Sequence, residues 1–224
     1  VSDSLEYHYT FFGHKKKKTV TVHYNVKHTA PYRFGRVYYI SKDTSINNIL
    51  VADSSNSLIE NGKNYDTDVL QAERDRITYL LRNKGYFRFY KNYIYYLADS
   101  SVSGKYIDIY VGVNKVNENK DSTGGEDHLV YHINKVSFAT DYDPTAPSYI
   151  PRDTSYFDGY TFYRTTRKRI FKPRIIAQSN FIKPGDTYEA KNQEITYQRL
   201  GNLGVFRFTS INFQDDTSLE GRTR

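Results

Sequence analysis

A chain of 224 residues has room for one large domain or for two modules of about 100 residues each. Its net charge is +7, and it holds 23 Tyr and 13 Phe but no Cys, Met or Trp. The missing cysteines exclude disulfides, cysteine-ligated zinc and a thiol nucleophile. The apolar residues recur with a period, unlike those of a disordered chain. No apolar run is long enough to cross a bilayer as a helix.

The chain opens on "LEYHYTFFGHKKKK", a hairpin arm turning near Gly13. "KTVTVHYNVKH" (18–28) follows, where Val20, Val22, Tyr24 and Val26 alternate with polar residues as in a half-buried strand. "PYRFGRVYYI" (31–40) starts a new strand. Ile46, Ile49, Leu50, Leu58 and Ile59 outline a short helix and a polar break within 45–59. The clearest helix spans 66–84, with Asp66 as its cap, Asp68 in the first turn and an apolar stripe of Leu70, Ile77, Leu80 and Leu81. Arg82 and Lys84 suit its C-terminal end, and Gly85 suits the left-handed residue beyond it. Strands "FRFYKNYIYYL" (87–97) and "KYIDIYVGV" (105–113) complete the order strand, helix, helix, strand, strand.

The same order begins again after "NENKDSTGGED" (117–127). "YRFGRVYY" lies over "YHINKVSF" with Tyr32 on Tyr131, an offset of 99 residues. "GKNY" lies over "GDTY" with Gly62 on Gly185, an offset of 123, so the second copy carries an insert at about 140–171. "NKGYFRF" (83–89) lies over "NLGVFRF" (202–208) at an offset of 119. Val20–Val26 resembles Ile107–Val113. Residues 1–30 are therefore expected to be the closing hairpin of a truncated preceding module, 31–117 a complete module, and 128–224 a module that lacks its last strand. The sheet of that last module is expected to expose an open edge near 205–224. The chain starts without Met and reads as an excised fragment.

Gly62, Tyr65, Gly85 and Phe87, with their counterparts Gly185, Tyr188, Gly204 and Phe206, form the repeated structural motif. In each heptapeptide the glycine stops a helix, and Phe87 or Phe206 is expected to plug the core beneath it.

These motifs, "G-x-x-Y" before a helix, an apolar stripe, then "G-[YV]-F" into a two-strand hairpin, resemble the POTRA domains of the BamA and TamA superfamily of outer-membrane assembly proteins. The Tyr-, Asn- and Lys-rich composition and the "VTVHYNVKHTAPYRFGRVYY" junction are most like the TamL lipoproteins of Bacteroidota. The resemblance implies an α+β fold of tandem modules, each a small mixed sheet covered on one face by two helices. It further implies a periplasmic, non-catalytic region of a Gram-negative outer-membrane protein without cofactors, attached to the membrane through a C-terminal β-barrel. Its partners would be unfolded outer-membrane proteins or an assembly subunit, bound by strand addition along 88–97 and 207–214. The residues implied are Phe89, Lys91, Tyr93 and Tyr95, then Phe208, Ser210 and Asn212.

Other chemistry is weaker. On a strand, His128 and His132 would stand about 13 Å apart, too far to share a metal. The pairs Asp66/Asp68, Asp141/Asp143 and Asp215/Asp216 read as caps or turns. The basic runs Lys15–Lys18 and Arg164–Arg174 read as solvated strand ends and a loop, or as seats for an anion; no nucleic-acid motif accompanies them. No nucleophile elbow or phosphate loop is present, and no enzyme is expected. The insert reads as a surface loop, an extra hairpin or a docking surface. Alternatives to assembly are another POTRA-bearing secretion translocator or, from a different class, a Tyr-rich carbohydrate-binding or adhesin β-sandwich.

Overall fold

The computed structural model describes residues 2–4, 21–24, 30–101, 104–117, 124–143, 145, 148–166 and 171–216. At the start, β1 (Ser2–Ser4) pairs antiparallel with β2 (Thr21–His23). The rest of the expected opening hairpin, including Lys15–Lys18, lies outside the described residues.

The first sheet is built from β3 (Arg33–Tyr39), β4 (Ile94–Asp99) and β5 (Tyr106–Val113). Central β5 runs parallel to β3 and antiparallel to β4. Helices α1 (Thr44–Ala52) and α2 (Thr67–Arg82) cover one face. There Ile46, Leu50, Leu70, Ile77 and Leu81 meet Phe34, Ile107, Ile109, Val111 and Val113 in one buried core. Each fully buried Leu or Ile contributes about 1.5–3 kcal/mol, so the alternation along β5 and the stripe on α2 together set the fold. The Asp66 side chain accepts from the Asp68 N–H at 2.8 Å, the expected cap. Asp43 caps α1 through the amides of Ser45 and Ile46. On the opposite face Tyr38 stacks on Tyr110 at 4.9 Å, and the Tyr95 ring fills the space a Cβ at Gly112 would need.

The second sheet joins β6 (Ser137–Ala139), β7 (Asp153–Phe157) and β8 (Tyr160–Arg164). Helices α3 (Pro173–Ser179) and α4 (Ala190–Asn202) follow. Tyr160, Phe162, Ile176, Ala177 and Leu200 form the core of this part, with Phe138 and Phe206 packed at its margin.

The fold is α+β, with a three-stranded mixed sheet and two helices in each part. A β-sandwich is excluded. Three expectations need correction. The strand expected from 87 starts at Ile94, because Tyr86 and Phe89 turn into the core and a 3-10 turn, Lys91–Tyr93, intervenes. The second sheet draws two of its three strands, β7 and β8, from the insert, ahead of its helices. Central β8, which lies inside the insert, runs parallel to β6 and antiparallel to β7, as β5 does to β3 and β4. The second part thus runs strand, strand, strand, helix, helix. The hairpin forms because Asp158 and Gly159 both adopt positive φ, 52° and 79°, the two-residue turn that matches strand twist. Finally, no strand forms at 205–216, and 217–224 lies outside the described residues.

Candidate interaction surfaces

The two sequence copies share backbone bonding, residue for residue. Gly62 N donates to Phe34 O at 2.8 Å, Phe34 N to Lys63 O at 2.8 Å, and Tyr65 N to Tyr32 O at 2.8 Å. Gly185 N donates to Ile133 O at 2.7 Å, Ile133 N to Asp186 O at 2.8 Å, and Tyr188 N to Tyr131 O at 2.9 Å. The sequence offsets of 99 and 123 relate the two sets. In each, the glycine turn is tied to the segment leading into the first strand.

The first heptapeptide forms the joint between the two parts. Gly85 holds φ +99°, and a Cβ there would lie 2.6 Å from Val130 Cγ1 and 2.7 Å from Thr187 Cγ2. Only glycine fits both that conformation and that approach. The Gly85 carbonyl accepts from Tyr131 N at 2.9 Å, and Asn83 Oδ1 accepts from Lys191 N at 2.8 Å. Phe87 does not plug its own core. It meets Tyr188 edge-on at 4.9 Å, Tyr131 at 5.7 Å and Phe213 at 5.1 Å. The core plugs are Tyr86 and Phe89. Arg82 donates to the Tyr188 hydroxyl at 2.8 Å. Burial pushes the Tyr188 phenol up, against the pull of the Arg82 charge.

The linker adds a second anchor. His128 sits against Phe89 (5.0 Å) and Tyr93 (4.6 Å), with Nε2 2.9 Å from Asn114 O. Its backbone N–H donates to Asp43 Oδ2 at 3.1 Å. His132 lies instead beside Thr187, Oγ1 to Nδ1 3.3 Å. Among the described residues no three His, Cys, Asp or Glu side chains gather as metal ligands.

The residues expected along partner-binding edges divide. Phe89 is 1% exposed and belongs to the core, while Lys91 and Tyr93 sit in the 3-10 turn. Tyr95 alone of the first set is on β4. Phe208, Ser210 and Asn212 lie in a segment without strand pairing, and Phe208 is 58% exposed. This segment runs back to the joint, where Asp215 pairs with Arg88 and Asp216 accepts from Asn134. Arg164, at the head of the second basic run, is buried and paired with Asp153, and 167–170 lies outside the described residues.

The first sheet has two edge strands, β3 and β4, on either side of central β5; β4 is the edge that carries the expected Tyr95. Asn114 N donates to Tyr93 O at 2.9 Å, which fixes the phase of the ladder. In an antiparallel pair the bonding direction alternates, so Tyr95 and Leu97 bond towards β5, while the amides of Tyr96 and Ala98 face outward. Leu97 is 53% exposed on this edge. Tyr96 is anchored from within: its hydroxyl donates to Leu70 O at 2.9 Å, and burial, then the Glu73 charge, raises its pKa.

These features define two α+β parts with one aromatic-lined joint between them and an edge strand, β4, on the first sheet. No protein-family model matches the chain, and no curated protein does. Among solved structures it is similar to the crystal structure of Haemophilus influenzae BamA POTRA3-5, at 12% identity and a TM-score of 0.45, covering 83% of this chain and 57% of that one. It is also similar to the N-terminal domain of Omp85 from the thermophilic cyanobacterium Thermosynechococcus elongatus, at 10% identity and a TM-score of 0.26, covering 84% of this chain and 92% of that one.

Proposed function

We propose that this chain is the periplasmic POTRA region of an outer-membrane assembly or translocation factor, of the TamL kind found in Bacteroidota. Residues 31–117 and 128–216 are its modules, and 1–30 closes a preceding one. It has no catalytic role. It receives unfolded outer-membrane proteins or a partner subunit and passes them to a C-terminal barrel.

The observation that carries this reading is β4. It is an edge strand with two outward amides, at Tyr96 and Ala98, beside a half-exposed Leu97. Such an edge gives an extended client main-chain hydrogen bonds and makes little demand on its sequence. The strand–helix–helix–strand–strand order of 31–117 agrees with the family resemblance.

The test places a photo-crosslinking residue at Leu97 and adds a urea-diluted outer-membrane barrel protein. Adducts should form at Leu97 and fall at least several-fold when Ala98→Pro removes an outward N–H without touching the bonds to β5. Equal labelling with and without Ala98→Pro, in a variant that stays folded, would rule out strand addition at this edge.

A further inference from the structure

Strand β7 is an outer edge of the second sheet, with β8 on its inner side. Thr161 N donates to Val136 O at 3.2 Å, so the Thr161 amide faces β6, while those of Tyr160, Phe162 and Arg164 face β7. Their partners Phe157, Ser155 and Asp153 bond inward in turn, which leaves the amides and carbonyls of Thr154 and Tyr156 pointing outward. The rings on this edge are open: Tyr156 is 79% exposed and Phe157 40%. The whole edge lies inside the described stretch 148–166, well away from either end of the chain.

The edge carries opposite charges at its two ends. Arg152 and Asp158 are exposed and stand three residues to either side of Ser155. Asp153 is already paired with Arg164, whereas neither Arg152 nor Asp158 forms an ion pair among the described residues. Charges on an edge strand keep other strands away when they meet their like. These are placed so that β7, turned about a two-fold axis at Ser155, is complementary to itself.

We propose that β7 pairs antiparallel with β7 of a second copy of this chain, about that axis. Thr154 then lies opposite Tyr156 of the second copy and exchanges both backbone bonds with it. The same pair recurs across the axis, so every outward amide is bonded, and each pair sets an aromatic ring against a β-branched side chain. At the ends, each Arg152 meets Asp158 of the other copy. Sliding the register one way would set Arg152 opposite Tyr156, but the Arg152 amide is already given to Arg164 O at 2.7 Å. Sliding it the other way parts Arg152 from Asp158. The contact is isologous and closes at two copies. With a strand of only five residues from each copy, the dimer is weak. This inference does not depend on client binding at β4.

The chain has no cysteine, so one introduced thiol reports the register. Across the axis the two Ser155 Cα atoms would stand about 4.5 Å apart, as in a non-hydrogen-bonded pair, within reach of a disulfide. The two Phe157 residues would be about 13 Å apart. At about 1 mM protein, where a weak interface is populated, mild oxidation should crosslink Ser155→Cys at least several-fold faster than Phe157→Cys. Sedimentation equilibrium adds a test of charge. Arg152→Glu or Asp158→Lys alone should weaken the dimer several-fold; Lys105, at φ 60°, shows that a lysine can hold the conformation of Asp158, at 52°. An equimolar mixture of the two should regain the dimer, because a mixed pair restores both ion pairs, and that recovery also shows that both variants fold. Equal crosslinking of the two cysteines, no crosslinking of Ser155→Cys, or a mixture no better than its components would each overturn the proposal. So would a photo-crosslinker at Tyr156 that labels an added urea-diluted barrel protein and never a second copy, which would give this edge to a client instead.

Discussion

The side-chain oxygen of Asn83 accepts the backbone N–H of Lys191 at 2.8 Å, so helix α4 takes its N-terminal cap from the end of helix α2. The residue in the cap position of α4 itself, Glu189, makes no side-chain capping bond. Replacing a capping Asn with Ala costs about 0.5–2 kcal/mol. Asn83→Ala should lower stability by that amount and speed hydrogen exchange at the Lys191 amide, while Asn83→Asp, which keeps the acceptor and adds favourable charge at a helix N-terminus, should restore both. Unchanged exchange at Lys191 in Asn83→Ala would show that the cap does not hold the joint.

The two heptapeptide glycines should respond differently to the same change. Both hold positive φ, which disfavours Ala by roughly 1–3 kcal/mol. At Gly85 the new methyl also meets Val130 Cγ1 at 2.6 Å and Thr187 Cγ2 at 2.7 Å, whereas at Gly204 it meets open space among the described residues. Urea unfolding should therefore rank Gly85→Ala as clearly the more destabilising. Equal losses would mean that Val130 and Thr187 yield without strain.

Glu73 is fully buried, and its charge is held by Arg76, whose Nε and Nη2 approach at 2.8 and 2.9 Å. It also accepts the Leu58 N–H at 2.9 Å, so the turn after α1 hangs on this carboxylate. The hydrogen bond to Glu73 outweighs burial and raises the Arg76 pKa. Arg76→Met strands a buried charge, and a loss of about 3–5 kcal/mol is expected by chemical denaturation. Pairing it with Glu73→Leu should recover part of that loss, which a double-mutant cycle reads directly.

Most of the first part was legible in the sequence because its signals are local and agree with one another. The period of α2, the Asp66 cap and the alternation of β5 each demand what is found. The strand expected from 87 failed because alternating aromatics fit a strand pattern as well as they fit a turn whose rings point inward; Phe89 is in the core and Phe87 in the joint. Which of two neighbouring rings faces a second unit is a tertiary matter that no window records. The insert did carry a readable signal, the Asp158–Gly159 pair between "DTSYF" and "YTFYR". That it supplies the central strand of its sheet could not be read, since parallel pairing with β6 is non-local.

Acid should loosen the insert. Burial works to raise the Asp141 pKa, but hydrogen bonds from the Thr165 hydroxyl and amide, the Tyr149 hydroxyl and the Thr166 amide prevail and hold it below the usual carboxylate range. A folded pKa below the unfolded value of about 3.9 gives stability that is complete above that value and is lost as pH falls through the folded one. Proteolysis within 142–151 should rise as pH falls below about 4, and Asp141→Asn should show the raised rate already at neutral pH. A pH-independent rate in the unaltered chain would remove Asp141 from the anchor.

Deleting the β7–β8 hairpin tests whether the insert is decoration or sheet. Tyr160 and Phe162 are 4% and 2% exposed and pack with Ile176 and Leu200, while Phe138 stacks on Phe162 at 5.0 Å. Removing 153–164 therefore takes away the central strand and two core rings together, and loss of a buried Phe alone costs about 3–5 kcal/mol. The deletion should abolish cooperative unfolding of residues 128–216 while the core around Ile77, Leu81 and Ile109 keeps its slow hydrogen exchange, because that core shares no side chain with the second. Retention of both protected cores after the deletion would mean that β6 finds another partner, and the hairpin would then be an addition to a sheet that stands without it.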